Sequence, residues 1–263
     1  MSPFNPLRRQ LLAAGVLPAL ALGTGCAGPA GGGAPAAPPL PRVPVGRIER
    51  LAAMPSRHVA PRHVDVWLPR GYDGQMLHDA TTTWNRQAWD VAPTVQRLID
   101  GGALRDTLVV GIWNTGPTRF NEYFPQGFIA HVPEGPAREV LLARGFARQP
   151  PMADAYLRFL VEELKPAIDA RYRTRPGREH TAIAGSSMGG LISAYALCEH
   201  PQVFGGAGCL STHWIGGFER NAEIPAAGRA YLRRRLPPPG QHRLYMDRGT
   251  TELDALYDEA QAQ

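Results

Sequence analysis

A serine flanked by glycines is the feature of this sequence with the most direct chemical meaning. Ser187 lies between Gly185 and Gly189 in the segment IAGSSMGGLISAY, residues 183–195. The pattern G-x-S-x-G is typical of a nucleophilic serine on a sharp turn between a strand and a helix, where neighbours two positions away must be small. We therefore predict that Ser187 is a nucleophile and that the backbone N–H of Met188 faces a developing oxyanion.

The elements around this serine alternate between strand and helix patterns. An apolar run precedes Ser187 and a helical pattern follows it, which favours a nucleophile elbow over the alternative of a glycine-rich loop that only packs a helix on a strand. Such alternation predicts a mostly parallel, doubly wound sheet with helices on both faces. The predicted strands are 62–69, 107–114, 180–186, 204–212 and 242–250, and the predicted helices are 89–102, 153–169 and 188–200.

The segment AGSSMGGLISAYALCEHPQVFGGAGCLSTHW resembles the putative esterase family of α/β-hydrolases, which includes enterochelin esterase-like, feruloyl esterase and esterase D-like enzymes. The similarity extends over most of residues 62–257, including GQMLHDATTTWNRQAW and VVGIWNTGPTRFNEYFP. The resemblance implies an α/β-hydrolase fold and cleavage of small-molecule carboxylic esters through an acyl-enzyme on Ser187, without a metal or organic cofactor. Some members are acyltransferases, so acyl transfer is an alternative.

The resemblance also implies a catalytic acid after the strand predicted at 242–250. The turn RGTTELD contains two candidates. Asp254 is preferred because relatives that resemble this segment often carry GT followed by LD, and Glu252 matches the spacing of the feruloyl esterase branch. Asp247 is the third candidate. For each of them, the alternative is a solvated loop carboxylate.

The general base is the main departure from the family pattern. The family places its histidine in a later G-x-x-H segment, and this sequence has no histidine after His242. We therefore expect a C-terminally truncated hydrolase domain. His213 follows the strand 204–212 and is the only stand-in that the element order places near Ser187, with a loop or packing role as the alternative. A degenerate, non-catalytic binding domain or a fragment is the second hypothesis for the whole chain.

A second departure concerns the other half of the oxyanion hole. Relatives have a buried strand before the GQML segment, and its following turn supplies a backbone N–H. The stretch LPRGYDGQMLHD has no apolar run between Pro69 and Gly74, so we expect this core strand to be missing and the sheet to be incomplete. Gln75 stands where the second oxyanion donor would be carried.

Substrate contacts are expected at the carboxyl edge of the sheet, where open α/β sheets bind ligands. In the loop that contains Arg119 and Glu122, an ion pair between these two is the alternative to substrate contact. The candidates for substrate binding are Trp113, Asn114, His213 and Trp214.

The N-terminus reads as a targeting segment. Arg8 and Arg9 precede the apolar run LLAAGVLPALALGTG, which predicts an export signal over residues 1–25. Cys26 resembles the lipidated cysteine of a bacterial lipoprotein, with simple cleavage and release as the alternative. A Pro/Gly-rich linker over 26–44 and a folded domain over 45–263 follow. The expected location is exported, either periplasmic or membrane-anchored.

The composition of the chain limits the classes of partner that the sequence predicts. The net charge of +5 arises from 28 basic and 23 acidic residues, and no basic stripe with interleaved aromatics predicts a nucleic-acid partner. Cys198 and Cys209 are predicted to be buried small hydrophobes, with a disulfide between them as the alternative. No pattern in the sequence predicts a metal site or an oligomeric state.

Overall fold

In a computed structural model, seven strands in the described part of the chain form one mixed sheet. Their order across the sheet is β1-β2-β4-β3-β5-β6-β7. β2 is antiparallel to both β1 and β4, and every other neighbouring pair is parallel. The strands are β1 (Arg47–Met54), β2 (Arg62–Leu68), β3 (His78–Thr82), β4 (Thr107–Ile112), β5 (Thr181–Ser186), β6 (Gly206–Leu210) and β7 (Arg243–Asp247).

The structure does not describe every residue. Cys26, the predicted export signal, Gln75 and Glu252 lie outside the described part, and in 78–82 and 144–145 only the backbone is described. No helix in the described part is both long and apolar enough to cross a membrane. The described ranges are 37–72, 78–82, 91–116, 118–146, 149–216, 220–250 and residue 254.

The helices fill the connections between strands. Two π-helical segments, Leu141–Gly145 and Phe159–Leu164, continue α4 and join α5 to α6, and a 3₁₀ turn at Arg178–His180 leads into β5. The α-helices are α1 (Val91–Asp100), α2 (Arg119–Tyr123), α3 (Gln126–Ile129), α4 (Pro136–Val140), α5 (Ala153–Arg158), α6 (Lys165–Arg171), α7 (Met188–Glu199) and α8 (Glu223–Arg235).

α7 is the central helix of the molecule. Its residues from Met188 to Cys198 are all buried, because the segment MGGLISAYALC is small or apolar on every side. A helix of that composition must be covered all round. β5 and β6 contact it on one side, and α2 and α8 contact it elsewhere. The residue that precedes α7 is therefore held by the most buried part of the fold.

The predicted strands and long helices are confirmed to within a few residues at their ends, but the prediction of a missing core strand was wrong. β3 runs between β4 and β5, and it pairs with β4 from His78↔Thr107 onward and with β5 from Asp79↔Thr181 onward. Its sequence, HDATT, is polar and short. The prediction assumed that a core strand needs an apolar run. Backbone hydrogen bonds to two neighbouring strands can, however, hold a polar segment in a sheet.

Candidate active site

Ser187 occupies a strained turn between β5 and α7. Its backbone has φ 57° and ψ −123°, in the positive-φ region that a residue with a Cβ rarely adopts. Its N–H donates a hydrogen bond to the Leu210 carbonyl at 2.9 Å, and its own carbonyl accepts from Gly190 N at 3.0 Å. The strand, turn and helix required by a nucleophile elbow are therefore all present around this serine.

The glycines of the elbow are explained by close backbone approach. A Cβ on Gly185 would lie 2.5 Å from the carbonyl carbon and oxygen of Gly189. A Cβ on Gly190 would lie 2.6 Å from Thr212 Oγ1. Because both distances are far below van der Waals contact, a larger residue at either position would push α7 away from the sheet.

The hydroxyl of Ser187 is not used to hold the helix. Ser187 is the residue before α7, a position where serine often caps, yet its side chain makes no capping hydrogen bond. The side chain is half-buried. The first residue of α7 is Met188, whose N–H lies at the positive end of the helix dipole. An oxygen that becomes negative beside Ser187 would be stabilised at this position.

The acid candidates lie at the same edge of the sheet. Since β5, β6 and β7 are parallel, their carboxyl ends share one edge, with Asp247 the last residue of β7. Its Oδ1 accepts from Ser211 N at 3.0 Å and its Oδ2 accepts from the Tyr245 hydroxyl at 3.2 Å. Asp254 Oδ2 accepts from Gly249 N at 2.7 Å. Both aspartates thus accept a hydrogen bond from a backbone amide, and β7 lies two strands from β5, about 10 Å at usual strand spacing.

His213 is brought next to the elbow by its backbone. Its N–H donates to the Ser187 carbonyl at 3.2 Å, and the residue is almost fully buried. Burial, together with the positive charge of Arg119, lowers the pKa of His213 to about 4. The imidazole is therefore neutral at pH 7 but weakly basic, whereas an efficient general base has a pKa near the working pH.

Trp113 lies at the expected edge but faces away from Ser187. Its Nε1–H donates to Asp65 Oδ2 at 3.0 Å, and the Arg50 guanidinium lies 4.9 Å from its ring centre. The ring also meets His63 edge-on at 5.3 Å. These partners belong to β1 and β2, at the opposite side of β4 from β5, so the placement favours a structural role over substrate contact.

The other two substrate candidates have different surroundings. Asn114 Oδ1 accepts from Gly116 N at 2.9 Å and so shapes the loop after β4. Trp214 follows His213 and is 3% exposed, and its buried Nε1–H has no hydrogen-bond partner among the described residues. Trp214 thus follows the residue whose N–H binds the Ser187 carbonyl, and within the described part of the chain its indole N–H is unpaired.

The suggested ion pair between Arg119 and Glu122 is absent, because Glu122 has another partner. Arg62 holds its carboxylate from two nitrogens, Nη1 to Oε2 at 2.9 Å and Nη2 to Oε1 at 2.8 Å. Both side chains are almost fully buried. The Arg119 guanidinium instead lies 5.5 Å from the ring centre of Tyr123. Local spacing could not reveal the pair, since its members are 60 positions apart.

Cys198 and Cys209 are both free and buried, which confirms them as small core residues. Burial raises the pKa of both the Cys198 and the Cys209 thiol to about 12. Neither thiol is therefore ionised near neutral pH. Within the described ranges, no three His, Cys, Asp or Glu side chains are grouped so that they could hold a metal ion.

Comparison with known proteins identifies the family to which this chain belongs. A model of the family described as Putative esterase matches residues 59–262. Similar solved structures include an IroE-like serine hydrolase from Shewanella oneidensis, with 22% identity, a TM-score of 0.55 and coverage of 76% of this chain and 59% of that one. The enterobactin esterase FES from Shigella flexneri has 16% identity and a TM-score of 0.55, with coverage of 83% and 61%.

A CE1 ferulic acid esterase from Anaeromyces mucronatus is also similar, with 17% identity, a TM-score of 0.51 and coverage of 83% of this chain and 88% of that one. The chain thus spans about three fifths of the length of the Shewanella and Shigella proteins. No curated protein sequence matches the chain. What it shares with the solved structures is the α/β-hydrolase fold, as the sequence predicted.

Proposed function

Because this chain belongs to the Putative esterase family, we propose that it hydrolyses carboxylic esters through an acyl-enzyme on Ser187. The observation that carries the proposal is the backbone of Ser187, at φ 57° and ψ −123°. Such a conformation costs about 1–3 kcal/mol and persists where the surrounding structure holds it, often at reactive sites. The hydroxyl that this strain presents is half-buried and does not cap α7.

In the proposed reaction, Ser187 Oγ attacks the acyl carbon of the ester. A carbon–oxygen bond forms while the carbonyl electron pair moves to oxygen, where the Met188 N–H stabilises the charge. Collapse of this intermediate breaks the bond to the alcohol, which takes up the proton that Ser187 has lost. Water then attacks the acyl group on Ser187, releases the acid and restores the hydroxyl.

The proton of Ser187 requires a base, and we assign His213 this role among the described residues. Its backbone bond to the Ser187 carbonyl supports the assignment, and its pKa of about 4 limits it. A base this weak holds the serine proton only briefly, so we expect slow turnover. Asp254 is the proposed acid, with Asp247 as the alternative; both accept backbone N–H groups at the same edge.

A second candidate function is binding of an ester without turnover. The observation that favours it is the lowered pKa of His213, which makes its imidazole a weak base. In that case Ser187, His213 and Trp214 would line a binding site, and the hydroxyl would act only as a hydrogen-bond partner.

We further propose that the enzyme is exported and acts on small-molecule esters outside the cytoplasm. Arg8 and Arg9 before an apolar run, and Cys26 before a Pro/Gly-rich stretch, support a signal followed by a lipid-anchored cysteine. Mass spectrometry of the mature protein from a bacterial host tests this. A diacylated N-terminal Cys26 supports the anchor, and an uncleaved chain in the cytoplasm contradicts export.

The function is tested with p-nitrophenyl acetate and butyrate, using the full chain and its Ser187→Ala variant. We expect the variant to fall to the uncatalysed rate, while the adjacent Ser186→Ala retains the activity of the parent chain. Equal rates for the parent and Ser187→Ala contradict hydrolysis. Calorimetric binding of a non-hydrolysable ester analogue that survives Ser187→Ala, with no turnover in either protein, favours the second candidate.

A further inference from the structure

The edge of the sheet opposite Ser187 carries a band of arginines. This amino edge is where β1, β4, β5, β6 and β7 begin and where β2 ends. Ser187, by contrast, follows the carboxyl end of β5. In the described part of the chain, the arginines at the amino edge that have no carboxylate partner are Arg105, Arg173, Arg175, Arg233, Arg234 and Arg243.

These arginines come from several separate segments that meet at the amino edge. Arg105 precedes β4, Arg173 and Arg175 lie between α6 and β5, and Arg243 begins β7. The other two lie in the last turn of α8, where the helix dipole favours cations. The dipole does not account for the arginines in the turns and at the start of β7, because they are outside helices. Of these, Arg105, Arg173 and Arg243 are exposed to solvent.

Several carboxylates at the amino edge already have cationic partners. Asp100 pairs with Arg70 at 2.8 Å, and Glu199 pairs with Arg235 at 2.9 Å. Glu49 is within 3.6 Å of two further arginines. The remaining described carboxylates at this edge belong to Asp106, Asp169 and Glu179. They are fewer than the unpartnered arginines, so the described part of the amino edge has a surplus of positive charge.

Hydrogen bonds join the turns of the amino edge into one continuous face. Arg173 N accepts no strand partner but donates to the Tyr72 hydroxyl at 3.2 Å, beyond the end of β2. The Arg178 guanidinium, before β5, donates to the Gln241 carbonyl, before β7. Arg243 N donates at 2.9 Å to a carbonyl in the turn before β6. Strands about 4.8 Å apart make a seven-stranded edge about 29 Å wide, so its charges suit an extended anionic surface.

We propose that the amino edge docks on a bilayer that contains anionic phospholipids, with Ser187 turned away from the membrane. This proposal rests on the export and the anchoring at Cys26 proposed above, which place the chain at a bilayer surface. A cluster of about four to eight arginines or lysines is typical of segments that bind anionic headgroups. The lipid on Cys26 would hold the chain near the bilayer, and the arginines fix which face meets it.

Docking through the amino edge leaves the proposed active site accessible. β5 has six residues, which at about 3.3 Å per residue puts its two ends about 20 Å apart. This separation exceeds the Debye length of about 8 Å at physiological ionic strength, so headgroup charges are screened before they reach Ser187. We therefore expect vesicle-bound and free protein to hydrolyse p-nitrophenyl acetate at the same rate.

Co-sedimentation with lipid vesicles tests the contact, using the full chain with Cys26→Ser so that no lipid is attached. One set of vesicles is phosphatidylcholine alone, and the other contains an equal share of phosphatidylglycerol. Attachment through the apolar N-terminal run occurs with both sets. We expect tighter binding to the anionic vesicles, and we expect this difference to disappear at high salt, which screens exposed charges.

Charge-reversal variants locate the contact. Arg173→Glu with Arg175→Glu should weaken binding to anionic vesicles at least about thirtyfold, since each arginine near such a surface contributes about fivefold. Arg158→Glu with Arg248→Glu makes the same change in net charge away from the amino edge, at the end of α5 and after β7, and should leave binding nearly unchanged. Arg105→Glu should weaken it about fivefold. Thermal unfolding establishes that each variant is folded, and Arg105→Glu decides if the first double variant is not.

Three results overturn the proposal. One is equal binding of the parent chain to both sets of vesicles. Another is an equal loss of binding in the two double variants, because net charge and not the amino edge is then the cause. The third is binding to heparin without binding to phosphatidylglycerol, which assigns the arginines to a soluble polyanion.

Vesicle binding and hydrolysis are measured separately, so their failures are distinguishable. Ser187→Ala should bind anionic vesicles as tightly as the parent chain does. Binding without hydrolysis overturns the enzyme proposal alone. Hydrolysis without preference for anionic vesicles overturns the bilayer contact alone.

Discussion

The proposed reactivity of Ser187 rests on its place in the backbone and not on its residue type. Its positive φ is fixed by the hydrogen bond from its N–H to Leu210 and by Gly190, whose N–H binds its carbonyl. Gly185 leaves the room that the turn needs. A serine with these neighbours lies at the positive end of α7 with a hydroxyl that does not cap the helix.

His213 is the residue through which we expect the stability of the folded protein to depend on pH. Its pKa is about 6.5 in an unfolded chain and about 4 in the folded protein, since burial and Arg119 oppose the charged form. Between these values the unfolded chain binds the proton and the folded chain does not, so stability falls as pH falls from 6.5 to 4. The loss over this window is on the order of 3 kcal/mol.

Chemical denaturation of the parent chain and of His213→Gln at several pH values checks this. The free energy of unfolding of the parent should decline more steeply toward acid, while the two proteins should show parallel slopes above pH 7, where the imidazole is neutral in both states. Parallel curves throughout the acid range would show that His213 is not buried in its neutral form.

The loop and helix after β4 are held to the sheet by one buried ion pair. Arg62, at the start of β2, binds Glu122 of α2 through two hydrogen bonds, and the side chains are 2% and 1% exposed. Arg62 also lies 5.3 Å from the ring centre of Tyr156 and 5.2 Å from that of Phe159. The ion pair thus holds α2 to β2. The same helix carries Arg119 and contacts α7.

Glu122→Gln is expected to destabilise the protein by about 3–5 kcal/mol, because it leaves the Arg62 guanidinium buried without a counter-charge. Urea denaturation measures the change. The matched control replaces both partners, Arg62→Met with Glu122→Leu, and should cost much less. If the single and the double variant lose the same stability, the uncompensated charge is not the cause.

Local patterns in the sequence predicted α7 and its flanking strands, because their apolar runs are continuous and the glycines of the elbow mark the turn. β3 could not be predicted in this way. Its place is fixed by pairing with β4 and β5, which lie elsewhere in the sequence. The side-chain partner of Glu122 could not be predicted from local patterns either, since it is Arg62 and not the nearby Arg119.

For the whole molecule, the sheet brings distant segments to one edge. Residues that follow β5, β6 and β7 meet there because those strands are parallel, which puts Ser187, His213 and Asp247 at a common edge. The order of strands predicted this convergence. It did not predict the direction of Trp113, which depends on Asp65 and Arg50 of β2 and β1.

The central claim is that Ser187 is a nucleophile in the folded chain. The most direct measurement is covalent labelling with a fluorophosphonate, followed by intact-mass analysis and peptide mapping. We predict one adduct per chain, on Ser187, that is absent from Ser187→Ala and from urea-unfolded protein and is retained in Ser186→Ala. A folded chain that takes up no label, or takes it up equally in Ser187→Ala, would contradict the account.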